Sequence, residues 1–295
     1  MKLGVIFPTT EIGPDPGAVR DFAQAAEELG YSYLIAFDHV IGADPSKHTL
    51  VGPYTHNTQF HEPFVLFGYL AALTRRIELM TGILILPQRQ TALVAKQAAE
   101  VDLLTGGRLV LGVGNGWNQV EYEVLGEDFH VRGRRMGEQL RLLRLLWEQP
   151  LVDFEGRFDS ISAAGINPRP QRRIPIWIGG MAQPVLRRIG RYADGWLPRQ
   201  IYDDFERMRD DIARRHERIR QTAIEAGRDP AAIGLAIEAR LAKGDIESAV
   251  RRGEQWKEAG ATHCAIHTMD AGLRGHAAHI EAIRAFRETA GSSLD

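Results

Sequence analysis

Cysteine is nearly missing from this chain: Cys264 stands alone among 295 residues. That excludes an internal disulfide and any paired-cysteine metal site, and it fits a reducing compartment. Long hydrophobic runs are missing too. None reaches the roughly 18 residues of a membrane-crossing helix, so no bilayer span is expected. Neither sign of charge is in excess: 36 Lys plus Arg stand against 38 Asp plus Glu, a net −2. This balance offers no electrostatic argument for nucleic acid or a membrane surface. The basic stretches at residues 132–135 and 214–220 interleave with acids or fall on helical segments, and read as solvated helix faces. The chain has no Gly-x-Ser-x-Gly, no His-Glu-x-x-His and no His-x-His in its first apolar run, so neither nucleophilic hydrolysis nor a metal is expected. The leading segment Met1-Lys-Leu-Gly-Val-Ile-Phe7 is too short for a secretory signal, which makes a cytoplasmic protein the default expectation.

What is present is alternation. Short apolar runs at residues 3–7, 33–37, 77–84, 109–113, 174–178, 195–197, 233–237 and 263–267 predict strands. Helix-period segments at 18–29, 63–73, 91–104, 134–147, 184–192, 203–226, 246–259 and 277–289 follow them in turn. Strict alternation predicts a parallel sheet, and eight units in one chain predict a closed (β/α)8 TIM barrel forming a single domain over 1–295. Two stretches exceed a minimal barrel: residues 37–62 after the second strand and 150–173 after the fourth helix. The latter contains a hairpin, with Glu155-Gly156 as its expected turn. Loops of this length are usually functional.

Chemistry in such a barrel collects where the strands end. Asp38-His39 follows the second strand. By itself the dipeptide is a structural pair as readily as an acid–base one; its position favours the second reading. Gly82 inside the third strand marks a bulge or a close ligand approach, against plain packing on a helix. Gly112, Gly114 and Gly116 end the fourth strand, but a dinucleotide fingerprint would need a glycine where Trp117 stands. Gly179-Gly180-Met181 opens a helix, as a phosphate site or as a tight turn. Trp117, Trp177 and Trp196 are candidates for an apolar pocket or for core. His263 and His267 share a strand face, with one of them near the active end. His276 and His279 are expected on the solvent side of the last helix.

Several stretches together resemble one family: Phe37-Asp-His-Val40, Thr81-Gly-Ile-Leu-Ile-Leu-Pro87, Leu104-Thr-Gly-Gly-Arg-Leu-Val-Leu-Gly-Val-Gly-Asn-Gly-Trp117, Pro175-Ile-Trp-Ile-Gly-Gly180 and Arg191-Tyr-Ala-Asp-Gly-Trp196. They look like the bacterial luciferase-like flavin and deazaflavin oxidoreductases, in order and over about residues 1–290. The continuation Gly116-Trp-Asn-x-x-Glu-Tyr122 is similar to the members that use coenzyme F420, an 8-hydroxy-5-deazaflavin. The resemblance implies a ring bound at the barrel mouth and a non-prolyl cis peptide at Gly82-Ile83. It implies cofactor contacts from Asp38, Asn115 and Gly116, with phosphate at Gly179, Gly180 and Met181, His39 and Asp38 as catalytic residues, and a homodimer. From their places at strand ends, Phe7 is a further candidate cofactor contact, and Trp117 and Trp196 are candidate substrate-pocket walls. The family's deazaflavin sugar-phosphate dehydrogenases carry an acid where Trp117 stands, which puts that acid–base partnership and that substrate in doubt. The expected activity is hydride transfer between F420 and a small organic substrate, with loops 37–62 and 150–173 as lid and pocket walls. The alternatives are an FMN-dependent monooxygenase using O2 and a non-catalytic flavin-binding barrel.

Overall fold

The computed structural model describes residues 1–201 and 204–294. Its strands are β1 (Lys2–Ile6), β2 (Tyr33–Ala36), β3 (Glu78–Thr81), β4 (Leu84–Ile85), β5 (Leu109–Gly114), β6 (Val152–Glu155), β7 (Ser160–Ala164), β8 (Ile176–Gly179), β9 (Gly195–Leu197), β10 (Gly234–Arg240) and β11 (His263–His267). The helices are α1 (Pro16–Glu28), α2 (Pro63–Leu73), α3 (Thr91–Leu104), α4 (Gln119–Val124), α5 (Arg132–Glu148), α6 (Gln183–Tyr192), α7 (Phe205–Glu225), α8 (Ile246–Glu258) and α9 (Gly275–Ala290). All strands except β6 and β7 join one parallel sheet, which closes where Leu79 and Met80 of β3 pair with Leu109 and Val110 of β5. β4 continues the line of β3, pairing Leu84 with Val113, so the two pieces form one stave of an eight-stave barrel. The helices surround it, making a (β/α)8 TIM barrel. No helix among the described residues is long and apolar enough to cross a membrane.

Local chemistry explains the helix starts. Asp15, Asp204 and Asp245 each precede a helix and accept a first-turn N–H, the usual N-cap arrangement. Packing then follows strand parity. Leu3, Val5 and Phe7 face the helices, while Ile6 points into the barrel with Ile35, Met80, Val110 and Ala265. The closed end of the barrel is plugged by rings. Trp177 lies edge-on to His263 at 4.7 Å, and Tyr33 meets the same imidazole at 5.4 Å. A Cβ on Gly195 would sit 2.2 Å from the Trp177 ring, so the plug needs a bare backbone beside it.

Several expectations are corrected. The third strand is broken into two pieces at Gly82-Ile83. The hairpin turns over Gly156–Asp159 rather than Glu155-Gly156, because Gly156 N–H donates to the Asp159 carbonyl. An extra helix, α4, follows Trp117. His279 is buried: its Nδ1 is 2.8 Å from Thr268 Oγ1 and its Nε2 3.2 Å from Glu11. Asp203, the expected first residue of the sixth helix, lies outside the described residues; the described helix begins at Phe205.

Candidate active site

The mouth is organised around the break in the third stave. The Gly82-Ile83 peptide is cis. Ile83 lies over β5 and β8: a Cβ on Gly114 would be 1.8 Å from Ile83 Cδ1, and one on Gly179 would be 3.0 Å from Ile83 Cγ2. Gly112 has a different reason, since a Cβ there would sit 1.9 Å from the Thr81 carbonyl oxygen. Thr81 Oγ1 donates to the Gly112 carbonyl at 2.6 Å, tying the same two staves. Gly112 and Gly114 therefore accommodate the neighbouring stave. Gly116, with φ +64°, makes the turn at the rim.

Asp38 holds this break in place. Its Oδ2 accepts from Ile85 N–H at 3.0 Å and its Oδ1 from Arg89 Nη2 at 2.9 Å. Burial pushes its carboxyl pKa up, and Arg89 and the Ile85 N–H oppose that shift without cancelling it. With both oxygens committed, the geometry gives Asp38 a positioning role in place of the acid–base role expected.

His39 has another carboxylate partner. Its Nδ1 lies 3.0 Å from Glu121 Oε2, and Glu121 Oε1 accepts from the N–H groups of Val40 and Ile41. Burial alone would raise the Glu121 carboxyl, but His39 and the Val40 N–H outweigh it and leave it lowered. An ionised Glu121 can only accept, so the network assigns the proton to His39 Nδ1 and leaves Nε2 as the free acceptor. Around the imidazole stand Phe60 at 5.0 Å, Tyr54 at 5.2 Å and Trp117 at 5.3 Å. Tyr54 and Phe60 come from loop 37–62, which folds over the mouth and borders a cavity of about 390 Å³ beside His39. Tyr122, next to Glu121, donates its hydroxyl to the Asn115 carbonyl at 2.6 Å.

A second histidine–carboxylate pair stands at the ends of β10 and β11. His267 Nδ1 is 3.1 Å from Glu238 Oε2, and Arg240 reaches the same oxygen at 3.2 Å. Burial would raise Glu238; His267 and Arg240 hold it lowered. Phe37 packs edge-on to His267 at 5.9 Å. His267 Nε2 is enclosed and has no protein partner. The sequence marked His267 as a strand-face residue without a partner; the inward parity it shares with Glu238 on the adjacent stave was the available signal.

The expected phosphate loop begins a helix. Gly180 has φ +128°, its N–H donates to the Leu197 carbonyl at 3.3 Å, and α6 starts after Ala182 with no side-chain cap. Pro184 has no N–H, and the N–H groups of Val185 and Leu186 both donate to the Ala182 carbonyl, at 2.8 and 3.1 Å, so the Gln183 N–H is what the first turn offers an anion. Asn115 Oδ1 at the rim is likewise enclosed without a partner.

Two expected contacts are not at the mouth. Phe7 is fully buried against Phe22, at 5.8 Å, on the helix side of β1. Trp196 is fully buried on the helix side of β9, stacked on His216, with its indole N–H on the Gly180 carbonyl at 2.8 Å. Strand parity points both away from the barrel axis. The hairpin of the second insertion is also outside the cleft: its turn packs on α5, where Glu138 accepts the N–H groups of Arg157, Phe158 and Asp159.

Comparison with known proteins agrees with this architecture. The model of the luciferase-like monooxygenase family matches residues 1–293. An uncharacterised protein of Mycobacterium tuberculosis is 38% identical over 59% of this chain, which spans 62% of that relative's length. An F420-dependent glucose-6-phosphate dehydrogenase of Kineococcus radiotolerans is 30% identical over 62% of the chain and 52% of its own length. Among solved structures, an F420-dependent secondary alcohol dehydrogenase superposes with TM-score 0.81 at 19% identity, covering 100% of this chain and 99% of that one. The F420-dependent tetrahydromethanopterin reductase of Methanopyrus kandleri gives 0.78 at 16% identity, covering 100% and 99%.

Proposed function

Because this chain belongs to the luciferase-like monooxygenase family, we propose that it is an oxidoreductase moving a hydride between bound coenzyme F420 and a small, largely apolar organic substrate. The observation that carries this reading is the His39–Glu121 pair, with Nε2 free, in a mouth whose unpartnered groups suit a ring-and-phosphate cofactor. Those groups are the Asn115 carboxamide oxygen and the Gln183 N–H at the start of α6, which no side chain caps. F420 is preferred because relatives and structural neighbours named for that coenzyme recur among the matches.

When bound, the coenzyme supplies or accepts the hydride at ring carbon 5. The protein's own groups do the rest. Gly179, Gly180, Met181 and the first turn of α6 would hold the phosphate. Asn115 and Gly116 would meet the polar part of the ring or its ribityl chain, and Gly82 and Ile83 on the broken stave would back the ring. His39 Nε2 takes or gives the accompanying proton, while Glu121 keeps the imidazole in one orientation. Trp117, Tyr54 and Phe60 exclude water and bound the substrate. Glu238, Arg240 and His267 offer one polar edge opposite that wall.

The rival is an FMN-dependent monooxygenase in the same barrel, favoured by the family's own description and by the likeness to the monooxygenase RslO1 of Streptomyces bottropensis (TM-score 0.76, 20% identity). Fluorescence titration of the protein with F420 and with FMN separates the two. We expect saturable F420 binding. Tight FMN binding with none for F420 would overturn the hydride reading. His39→Ala should lower kcat by about 10²–10³-fold, leaving cofactor affinity nearly unchanged. Undiminished turnover would remove His39 from the chemistry, and cofactor binding without turnover of any acceptor would leave a non-catalytic binding barrel.

A further inference from the structure

Three tyrosine hydroxyls of this barrel are committed to the backbone: Tyr31, Tyr69 and Tyr122 donate to the carbonyls of Ile283, Pro16 and Asn115 at 2.7, 3.1 and 2.6 Å. The hydroxyl of Tyr54 makes no hydrogen bond among the described residues, and it is not enclosed. Its ring packs edge-on against the His39 imidazole, 5.2 Å between centroids, and both line the cavity of about 390 Å³. Loop 37–62 fixes Tyr54 from both sides. A Cβ on Gly52 would collide with the Trp117 indole, so the chain two residues before Tyr54 lies against that ring. Just after it, a Cβ on Gly42 would collide with the Thr55 carbonyl, and His56 N–H donates to the Ala43 carbonyl at 3.1 Å. Phe60 supports the Tyr54 ring edge-on at 4.9 Å. Burial raises the Tyr54 pKa, Asp270 and Glu238 add to that shift, and Arg240 and Arg199 oppose it. The hydroxyl therefore keeps its proton at neutral pH and is a donor. The amide donors of the same cavity are engaged elsewhere: Gln59 Nε2 lies 3.2 Å from His61 Nε2, and Asn118 Nδ2 donates to the Ile41 carbonyl at 3.4 Å.

Resting on the function proposed above, with His39 as the proton carrier, we propose that Tyr54 is a second catalytic residue, whose hydroxyl donates a hydrogen bond to the same substrate oxygen whose proton His39 Nε2 exchanges. The substrate class is then an alcohol and its carbonyl product. The His39 tautomer divides the work. With its proton on Nδ1, facing Glu121, His39 offers that oxygen an acceptor and no donor. The alcohol O–H gives its proton to Nε2, and the carbinol C–H gives its hydride, with the electron pair, to the oxidised coenzyme. The C–O bond becomes C=O. Negative charge develops on the oxygen as its proton leaves, and a donor fixed beforehand at that place stabilises it. A carbon–carbon double bond offers no such oxygen and would leave the Tyr54 hydroxyl unused.

Infrared difference spectroscopy of bound acetophenone, isotope-labelled at its carbonyl carbon against unlabelled, tests the hydrogen bond directly. The protein is first saturated with whichever of F420 and FMN the fluorescence titration selects. The bound ketone should show its C=O stretch displaced to lower frequency than in hexane. Neutral His39 cannot donate to that oxygen, so the displacement reports Tyr54. Tyr54→Phe keeps a ring against His39; it should lose most of the displacement and bind acetophenone about three- to tenfold more weakly. Gly52→Val, which drives the loop and Trp117 apart, should do the same with the hydroxyl intact. Tyr69→Phe, whose hydroxyl serves the Pro16 carbonyl, should match wild type. On an alcohol that turns over, Tyr54→Phe should lower kcat about 10²-fold. A displacement that needs Tyr54, in a protein that takes FMN and not F420, keeps this hydrogen bond and removes the hydride reading alone. An undisplaced stretch in wild type, an equal displacement in Tyr54→Phe, or no saturable binding of acetophenone overturns the proposal.

Discussion

The imidazole at the closed end of the barrel offers a quantitative test of how the plug is built. His263 is wedged between Tyr33 and Trp177, and burial, with smaller contributions from Lys2 and the N-terminal ammonium, lowers its pKa from 6.5 to about 4. A depressed histidine pKa means that the folded protein binds fewer protons than the unfolded chain between pH 6.5 and about 4. Stability must then fall as pH falls through that window. At about 1.4 kcal/mol per pH unit, the shift corresponds to roughly 3 kcal/mol. Carboxylates titrate nearby, so the measurement is a difference. Urea unfolding of wild type and His263→Phe, from pH 7.5 to 4, should show wild type losing about 3 kcal/mol more than the variant. The phenyl ring keeps the packing and cannot take a proton. Parallel pH profiles for the two proteins would refute the assignment of a buried neutral imidazole to the plug.

Two further perturbations address the mouth. Glu121→Gln puts an amide N–H against His39 Nδ1 and reverses the ring's proton assignment, so kcat should fall about 10²-fold with KM little changed; an unaltered kcat would sink the pairing. The three rim glycines should rank by what each would strike. Gly112→Ala meets a backbone oxygen and should be the most destabilising; Gly114→Ala meets only the movable end of Ile83 and should cost about 1–3 kcal/mol. Gly116→Ala adds a 2.8 Å contact with Ile85 Cγ2 to its positive φ and should also cost about 1–3 kcal/mol; chemical denaturation in which Gly112→Ala is not the most destabilising of the three would refute the packing argument.

The barrel was legible because its signals are local. Each stave is a short apolar run, and even the three-residue β9 announced itself through Gly195-Trp-Leu between two helical patterns. The cis peptide at Gly82-Ile83 followed from resemblance and a glycine inside a strand. What failed was parity and distance. Phe7 and Trp196 were taken as mouth residues because they stand at strand ends, but a one-residue step along a strand reverses the face, and their neighbours Ile6 and Leu197 point inward instead. The partner of His39 lies 82 residues away on a helix after another strand, and no local pattern links the two. Glu121 had been quoted within a motif, yet its role depended on closure of the barrel.

The hydrogen bond from Tyr122 to the Asn115 carbonyl staples the ends of one eight-residue segment. Within that staple lie the Asn115 carboxamide, the Trp117 indole and the Glu121 carboxylate, to which the proposed function gives the cofactor, the substrate and the orientation of His39. These three proposed duties thus share one hydrogen-bonded segment, so a shift of one side chain is transmitted to the others. A change of substrate preference made at Trp117 should therefore be paid in proton-transfer efficiency, whereas one made across the mouth, at Glu238 or Arg240, should not. Divergence of specificity on this scaffold has a mechanically cheap side and an expensive one.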